Sequence, residues 1–153
     1  MPALQQFISE LERQGELIRI SERVSPDLEI TEITDRISKQ KGGGKALLFE
    51  NTGTDFPVLI NALGSEKRIA MAFGRNSIYD IEKEIEELFQ HLMQPKDNLW
   101  DKLRMLPKLK EVSAWMPKKM KSRGRCQEVR MENPDLDKLP VLKCWPADGG
   151  PFI

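Results

Sequence analysis

Apolar residues change their spacing several times along the chain, and each change marks an element. Leu4, Phe7, Ile8 and Leu11 recur at helical intervals, and Gly15 follows where a left-handed cap would end a helix. Leu17–Ile20 predicts a short strand. Ser25-Pro26 then offers an N-cap and a first helical position, with Asp27 and Glu29 suited to the positive end of the helix dipole and Ile30, Ile33 and Ile37 as its buried stripe. The glycine run 42–44 interrupts the chain before the apolar segment Ala46–Phe49. Pro57–Ile60 follows a loop of polar and turn-forming residues, so the two segments predict a hairpin.

Ile69–Phe73 is a third apolar run, bounded by Gly64 and Gly74, and is read as a strand that leads into the strongest helix of the sequence. In that helix Ile78, Ile81, Ile85, Leu88, Phe89 and Leu92 form one face, while Glu82, Lys83, Glu86 and Glu87 lie mostly off it. Leu99, Leu103 and Leu106 predict another short helix, stopped by Pro107. From there to Arg125 no period survives. Cys126–Met131 reads as a strand and Pro134–Pro140 as a turn-rich connection. The pattern gives a mixed α/β (α+β) fold with a small mixed sheet packed with helices: a domain over residues 1–106, a connector over 107–125, and the start of a second, β-rich domain over 126–153.

Charge refines this division. The 24 basic and 24 acidic residues cancel overall, but residues 102–125 hold 9 basic residues against 1 acidic, an electropositive block in an otherwise acidic chain. No apolar run approaches the roughly 20 residues that span a bilayer, and the opening Met-Pro-Ala-Leu-Gln-Gln lacks the basic and apolar regions of a secretory signal, so a cytoplasmic protein is expected. Cys126 and Cys144 are then expected as ordinary thiols. With His91 as the sole histidine, no cluster has metal-ligand spacing.

Four features invite a chemical reading. The triple glycine, flanked by Lys41 and Lys45, resembles a phosphate loop in composition, but it leaves a helix and enters a strand, the reverse of the required polarity, which favours a plain turn. Gly74-Arg75-Asn76-Ser77 runs in the right direction, and Ser77 with Asp80 has capping-box spacing; a helix cap is favoured over an anion site. The carboxylates from Asp80 to Glu87 share a helix with a rich apolar face, so they read as a solvated face rather than acid–base groups. Lys118, Lys119, Lys121, Arg123 and Arg125 suit a solvated connector or an intramolecular contact with the acidic helix. With Trp100, Trp115, Met116 and Met120 nearby, an anionic membrane surface is the second option and nucleic acid the third.

Several segments, in order, resemble the amino-terminal region of the UbiD-type carboxy-lyases. They are Leu4-x-x-Phe-Ile-x-x-Leu-Glu-x-x-Gly-Glu-Leu with Arg19-Ile20 and Leu28-Glu-Ile-Thr-Glu-Ile; Lys45-Ala-Leu-Leu-Phe-Glu-Asn with Pro57-Val-Leu-Ile-Asn and Gly64-Ser-x-x-Arg-x-Ala; and Asp135-Leu-x-x-Leu-Pro-x-Leu with Cys144-Trp-Pro-x-Asp-Gly-Gly-Pro-Phe-Ile. The resemblance implies a decarboxylase of aromatic or α,β-unsaturated acids, including a role in quinone biosynthesis. It implies prenylated flavin mononucleotide (FMN) with a divalent metal (manganese or magnesium) and potassium, a homo-oligomer, and a functional link to a flavin prenyltransferase. It also implies that residues 126–153 open a flavin-binding split barrel. The family's catalytic and metal-binding groups match no position here and are expected downstream of Ile153. Asp148, Gly149, Gly150, Pro151, Phe152 and Ile153 are the residues expected to lead toward the cofactor pocket, mainly as a turn entering a barrel strand. A terminus in Gly-Gly-Pro-Phe-Ile suggests a truncated stretch, and the 153 residues alone are expected to be a catalytically silent scaffold. The competing class is a binding or oligomerisation module that works through residues 102–125.

Overall fold

The computed structural model describes residues 4–93, 107, 110, 112–114, 116–119, 121–124 and 127–151, and for His91 and Leu92 the backbone alone. Residues 1–85 with 135–153 form one compact unit, and residues 86–134 a second.

The first unit is a small three-stranded sheet with helices. Helix α1 (Leu4–Arg13) ends before Gly15, whose φ of 67° is the expected left-handed cap. Strand β1 (Leu17–Arg23) runs three residues past the predicted end. Helix α2 (Glu29–Ser38) returns the chain so that β2 (Ala46–Asn51) pairs parallel to β1, with Leu17 opposite Ala46 and Ile20 opposite Phe49. Strand β3 (Val58–Ile60) closes the predicted hairpin antiparallel to β2, giving the order β1-β2-β3.

Strand β2 is central, and its first four residues are all buried. A strand covered on both faces needs apolar side chains at successive positions, which explains the uninterrupted Ala-Leu-Leu-Phe. Leu47 and Phe49 pack with Val24 and Ile30, and α2 adds Ile33 and Ile37. Ala46, on the opposite face by the two-residue period, packs with Phe7 and Leu11 of α1 and with Met71 and Ala72. Burial of Phe49 or Leu47 stabilises the unit by about 1.5–3 kcal/mol each.

Three expectations are corrected. Ile69–Phe73 is not a strand: helix α3 spans Glu66–Ala72, because the Ser65 hydroxyl accepts the Arg68 N–H and caps the turn, with Glu66 at the favourable end. Helix α2 begins at Glu29 rather than at Pro26. The Ser25 hydroxyl accepts the Asp27 N–H, the Asp27 carbonyl accepts the Glu29 N–H, and Leu28 adopts φ 69°, ψ −34°, a γ-like turn that cannot belong to a helix. Within the predicted strand Cys126–Met131, Gln127 lies in a 3-10 turn, Glu128 and Val129 in a bend, and Arg130 and Met131 in no regular element; Val129 and Met131 are exposed, and among the described residues no strand pairs with them, without which an extended segment has no ladder to join.

Helix α4 spans Ile78–Met93, as the periodicity predicts. Its apolar face is only partly covered, since Ile85 is 50% and Phe89 57% exposed. The predicted helix through Leu99, Leu103 and Leu106 lies outside the described residues.

Candidate functional site

Two constellations in the first unit bring polar chemistry together. One is built on Arg68, the largest fully buried side chain. Helix α3 directs it under the glycine turn that follows α2. There its Nη1 donates to the Gly44 carbonyl at 2.6 Å and to Glu16 Oε2 at 3.1 Å, while Nε has no partner. The amide of Asn61 donates to the Gly43 and Lys45 carbonyls at 2.8 and 2.9 Å. The triple glycine therefore turns carbonyls toward two donors, the opposite of an anion cradle, and the plain-turn reading describes it. Two of its three residues must be glycine for steric reasons as well. A Cβ on Gly43 would sit 1.8 Å from the Gly64 carbonyl oxygen, and one on Gly44 would sit 2.0 Å from the Ile37 oxygen. Glu16 also accepts from Lys67 Nζ at 2.7 Å; the Lys67 and Arg68 hydrogen bonds hold its carboxyl below the ordinary value of 4.5.

The other constellation is a strap formed by residues 142–151. Lys143 pairs with Asp27 as an isolated bridge: the Leu28 N–H donates to the Lys143 carbonyl at 3.1 Å, and the Lys143 N–H donates to the Pro26 carbonyl at 3.1 Å. Leu142 reaches the core beside Ile30 and Phe49. The next turn is fixed by Asp148, whose Oδ2 accepts the backbone N–H groups of Cys144 and Trp145 at 3.2 and 3.0 Å. Between this turn and α2 lies an open groove of about 550 Å³ lined by Leu28, Thr31, Ile60, Cys144, Trp145 and Pro146, among others.

The other sequence candidates do not converge on either place. Arg75 forms a two-pronged ion pair with Glu84, and Ser77 and Asp80 cap α4 reciprocally, so the capping reading describes that loop. Asp80, Glu82, Glu84, Glu86 and Glu87 are exposed. Lys118, Lys119, Lys121 and Arg123 are exposed in the second unit, where Arg123 and Arg130 border a shallow groove of about 380 Å³ with Gln127, Glu128 and Val129. Asp148 turns its carboxylate to its own backbone. Gly149 and Gly150 have φ of 75° and 153°, and Pro151 is exposed. Phe152, Ile153, Arg125, Cys126 and the His91 side chain lie outside the described residues. Among the described residues no three His, Cys, Asp or Glu side chains gather as metal ligands, and no helix is long and apolar enough to cross a membrane.

Sequence reasoning assigned no role to Arg68 or to Trp145. A cation immediately before the apolar run from Ile69 to Phe73, three residues after a capping serine, was the available signal for Arg68.

Comparison with known proteins places both constellations in one family. The model of the 3-octaprenyl-4-hydroxybenzoate carboxy-lyase N-terminal domain matches residues 8–89, and that of the same family's Rift-related domain matches residues 118–153. An uncharacterized protein of Aquifex aeolicus is 50% identical over 152 residues, covering 98% of this chain and 31% of its own length. One from Archaeoglobus fulgidus is 42% identical over 151 residues, covering 98% and 30%. The chain thus spans about a third of the length of these relatives. Among solved structures, an evolved dimeric form of the UbiD-class enzyme HmfF from Pelotomaculum thermopropionicum in complex with prFMN aligns at 29% identity and a TM-score of 0.45, over 61% of this chain and 20% of that one. With one family model covering more than half of its 153 residues and the second following in order, the chain belongs to the UbiD family, the 3-octaprenyl-4-hydroxybenzoate carboxy-lyases.

Proposed function

We propose that this chain is the amino-terminal part of a non-oxidative decarboxylase that uses prenylated FMN, acts on an aromatic or α,β-unsaturated carboxylic acid, and works in the cytoplasm as a homo-oligomer. The observation that carries the reading is the succession of the two family domains along one chain, at residues 8–89 and 118–153. A role in quinone biosynthesis, a supply of cofactor from a flavin prenyltransferase, and a divalent metal with potassium at the flavin belong to the same reading.

The described residues do not fit those groups. The carboxylates nearest the carboxyl-terminal strap are committed elsewhere, Asp148 to two backbone N–H groups and Asp27 to Lys143 at 3.7 Å, and no ligand triad gathers around them. No catalytic step is therefore assigned to this stretch. Its contribution is positional: the β-bridge at Lys143 and the Asp148 turn fix the strap beside α2, and Asp148 to Ile153 serve in this reading as the lead toward the cofactor pocket.

The reading is tested by joining residues 1–153 to the remainder of the Aquifex aeolicus relative and supplying prenylated FMN with manganese and potassium. Carbon dioxide release from a panel of cinnamic, hydroxybenzoic and furoic acids is the expected result, with none from the 153-residue chain alone. Silence of the folded, flavin-loaded chimera across the panel refutes the activity.

A further inference from the structure

We propose that the groove between α2 and the Cys144–Pro146 turn is the docking surface for the rest of the Rift-related domain, with Trp145 as its anchor. This rests on the family reading above and goes beyond it, because it names the N-terminal-domain residues of α2 and β3, and the strap beside them, on which the rest of the Rift-related domain would seat.

Exposure supplies the first argument. Trp145 is 64% exposed, although it stands on the strap whose neighbour Leu142 is packed into the core. Beside it, Leu28, Ile60 and Pro146 give the groove an apolar wall, and the α2 side is a polar rim of Thr31, Glu32, Thr34, Asp35 and Ser38. An indole left in water between an apolar wall and a polar rim is a place where a partner gains by covering it, and tryptophan is among the residue types most enriched at the energetic centre of interfaces.

Preorganisation supplies the second. The strap is held by the paired hydrogen bonds between Lys143 and residues 26 and 28 and by the double acceptance at Asp148, so the groove needs no ordering before it is filled. Leu28, held by this pairing in its strained turn, is itself a wall.

The occupant follows from the domain match. Residues 118–153 belong to the Rift-related domain, and the apolar side chains of Leu136, Leu139 and Trp145 in this stretch are exposed by 57%, 38% and 64%. A domain hides such residues in its own core or against its neighbour. The relatives carry about twice as much chain again outside the matched region, which is polypeptide enough to do so. A second copy of this chain is the competing occupant.

The test uses the 153-residue chain and, as a separate polypeptide, the remainder of the Aquifex aeolicus relative beyond the matched region. Binding is followed by calorimetry and by tryptophan fluorescence. The expected result is a one-to-one complex with a blue-shifted emission, weakened at least roughly tenfold by Trp145→Ala and comparably by Ser38→Arg at the end of the groove, but unchanged by Tyr79→Ala on α4. Both sites are exposed, so circular dichroism should match the wild type. Three results overturn the inference: no complex between two folded partners, a complex indifferent to Trp145→Ala and Ser38→Arg, or self-association of the 153-residue chain through Trp145. Each of these leaves the decarboxylase reading to its own chimera assay.

Discussion

Replacing Arg68 with methionine isolates the energetics of the buried knot beneath the glycine turn. Two charge-assisted hydrogen bonds disappear, to the Gly44 carbonyl at 2.6 Å and to Glu16 at 3.1 Å, at about 1.5–3 kcal/mol each, with a third, from Nη2 to the Gly43 carbonyl, too long at 3.5 Å to add much. The substitution also removes a buried Nε donor that has no partner, which returns about 1–3 kcal/mol. The net loss is near 2–3 kcal/mol, at the lower edge of what breaking a buried ion pair costs, because Glu16 keeps Lys67. In a urea titration followed by circular dichroism, a slope of about 1–3 kcal/mol per molar turns this into a midpoint lowered by about 1–2 M. Lys67→Ala, which removes a half-exposed partner, should move the midpoint by less than about 0.5 M. Arg68→Lys should fall between them, since an ammonium cannot fork to both acceptors. A midpoint for Arg68→Met within about 0.3 M of wild type would refute the assignment of the knot as a stabilising element.

Three further outcomes follow from the same region. Gly43→Ala should lose at least about 2 kcal/mol, because its Cβ meets the Gly64 backbone, whereas Gly42→Ala, at φ 77° in open space, should lose only about 1 kcal/mol; thermal melts of the pair separate collision from backbone strain. Leu28→Ile keeps the volume but puts a branched Cβ at positive φ, so it should lose about 1–3 kcal/mol, while Leu28→Gly stays within about 1 kcal/mol of wild type; equal losses would mean that the turn is not strained. Because the folded-state pKa of Glu16 is depressed, its stabilisation is fully present above the ordinary value of 4.5 and fades as pH falls through the folded value. The melting-temperature gap between wild type and Glu16→Gln should therefore be widest near neutrality and close below pH 4.5.

Elements governed by local pattern were legible in the sequence. The amphipathic spacing of α1 and α4, the glycine that ends α1, and the apolar run of β2 each carry their cause within a few residues. What failed was decided by contacts between distant segments. Ile69–Phe73 has no period of its own, and only the cap at Ser65, together with the burial of Arg68 under a turn 24 residues earlier, makes that stretch helical. Ser25-Pro26 is a sound local helix start, but Lys143 pairs with residues 26 and 28 and holds Leu28 out of helical geometry. No window of sequence contains that competition. The strap at Trp145 was visible only as a shared motif, because its groove is assembled from α2, β3 and a turn more than 80 residues away in sequence from either.

The bridge between Lys143 and the start of α2 also has a consequence in time. Thr31 and Lys143 are 112 residues apart, yet the Lys143 carbonyl lies within reach of the Thr31 hydroxyl at 3.4 Å. On a ribosome adding about 5–20 residues per second, α2 and the sheet, which ends with β3 at Ile60, emerge roughly 4–17 s before the segment that completes them. Throughout that interval the place of Leu142 in the core stands open and the Leu28 and Pro26 backbone groups lack their partners. A nascent chain paused there offers chaperones an apolar notch at a defined position, and translation speed between codons 31 and 143 becomes a variable on which the yield of correctly closed protein depends.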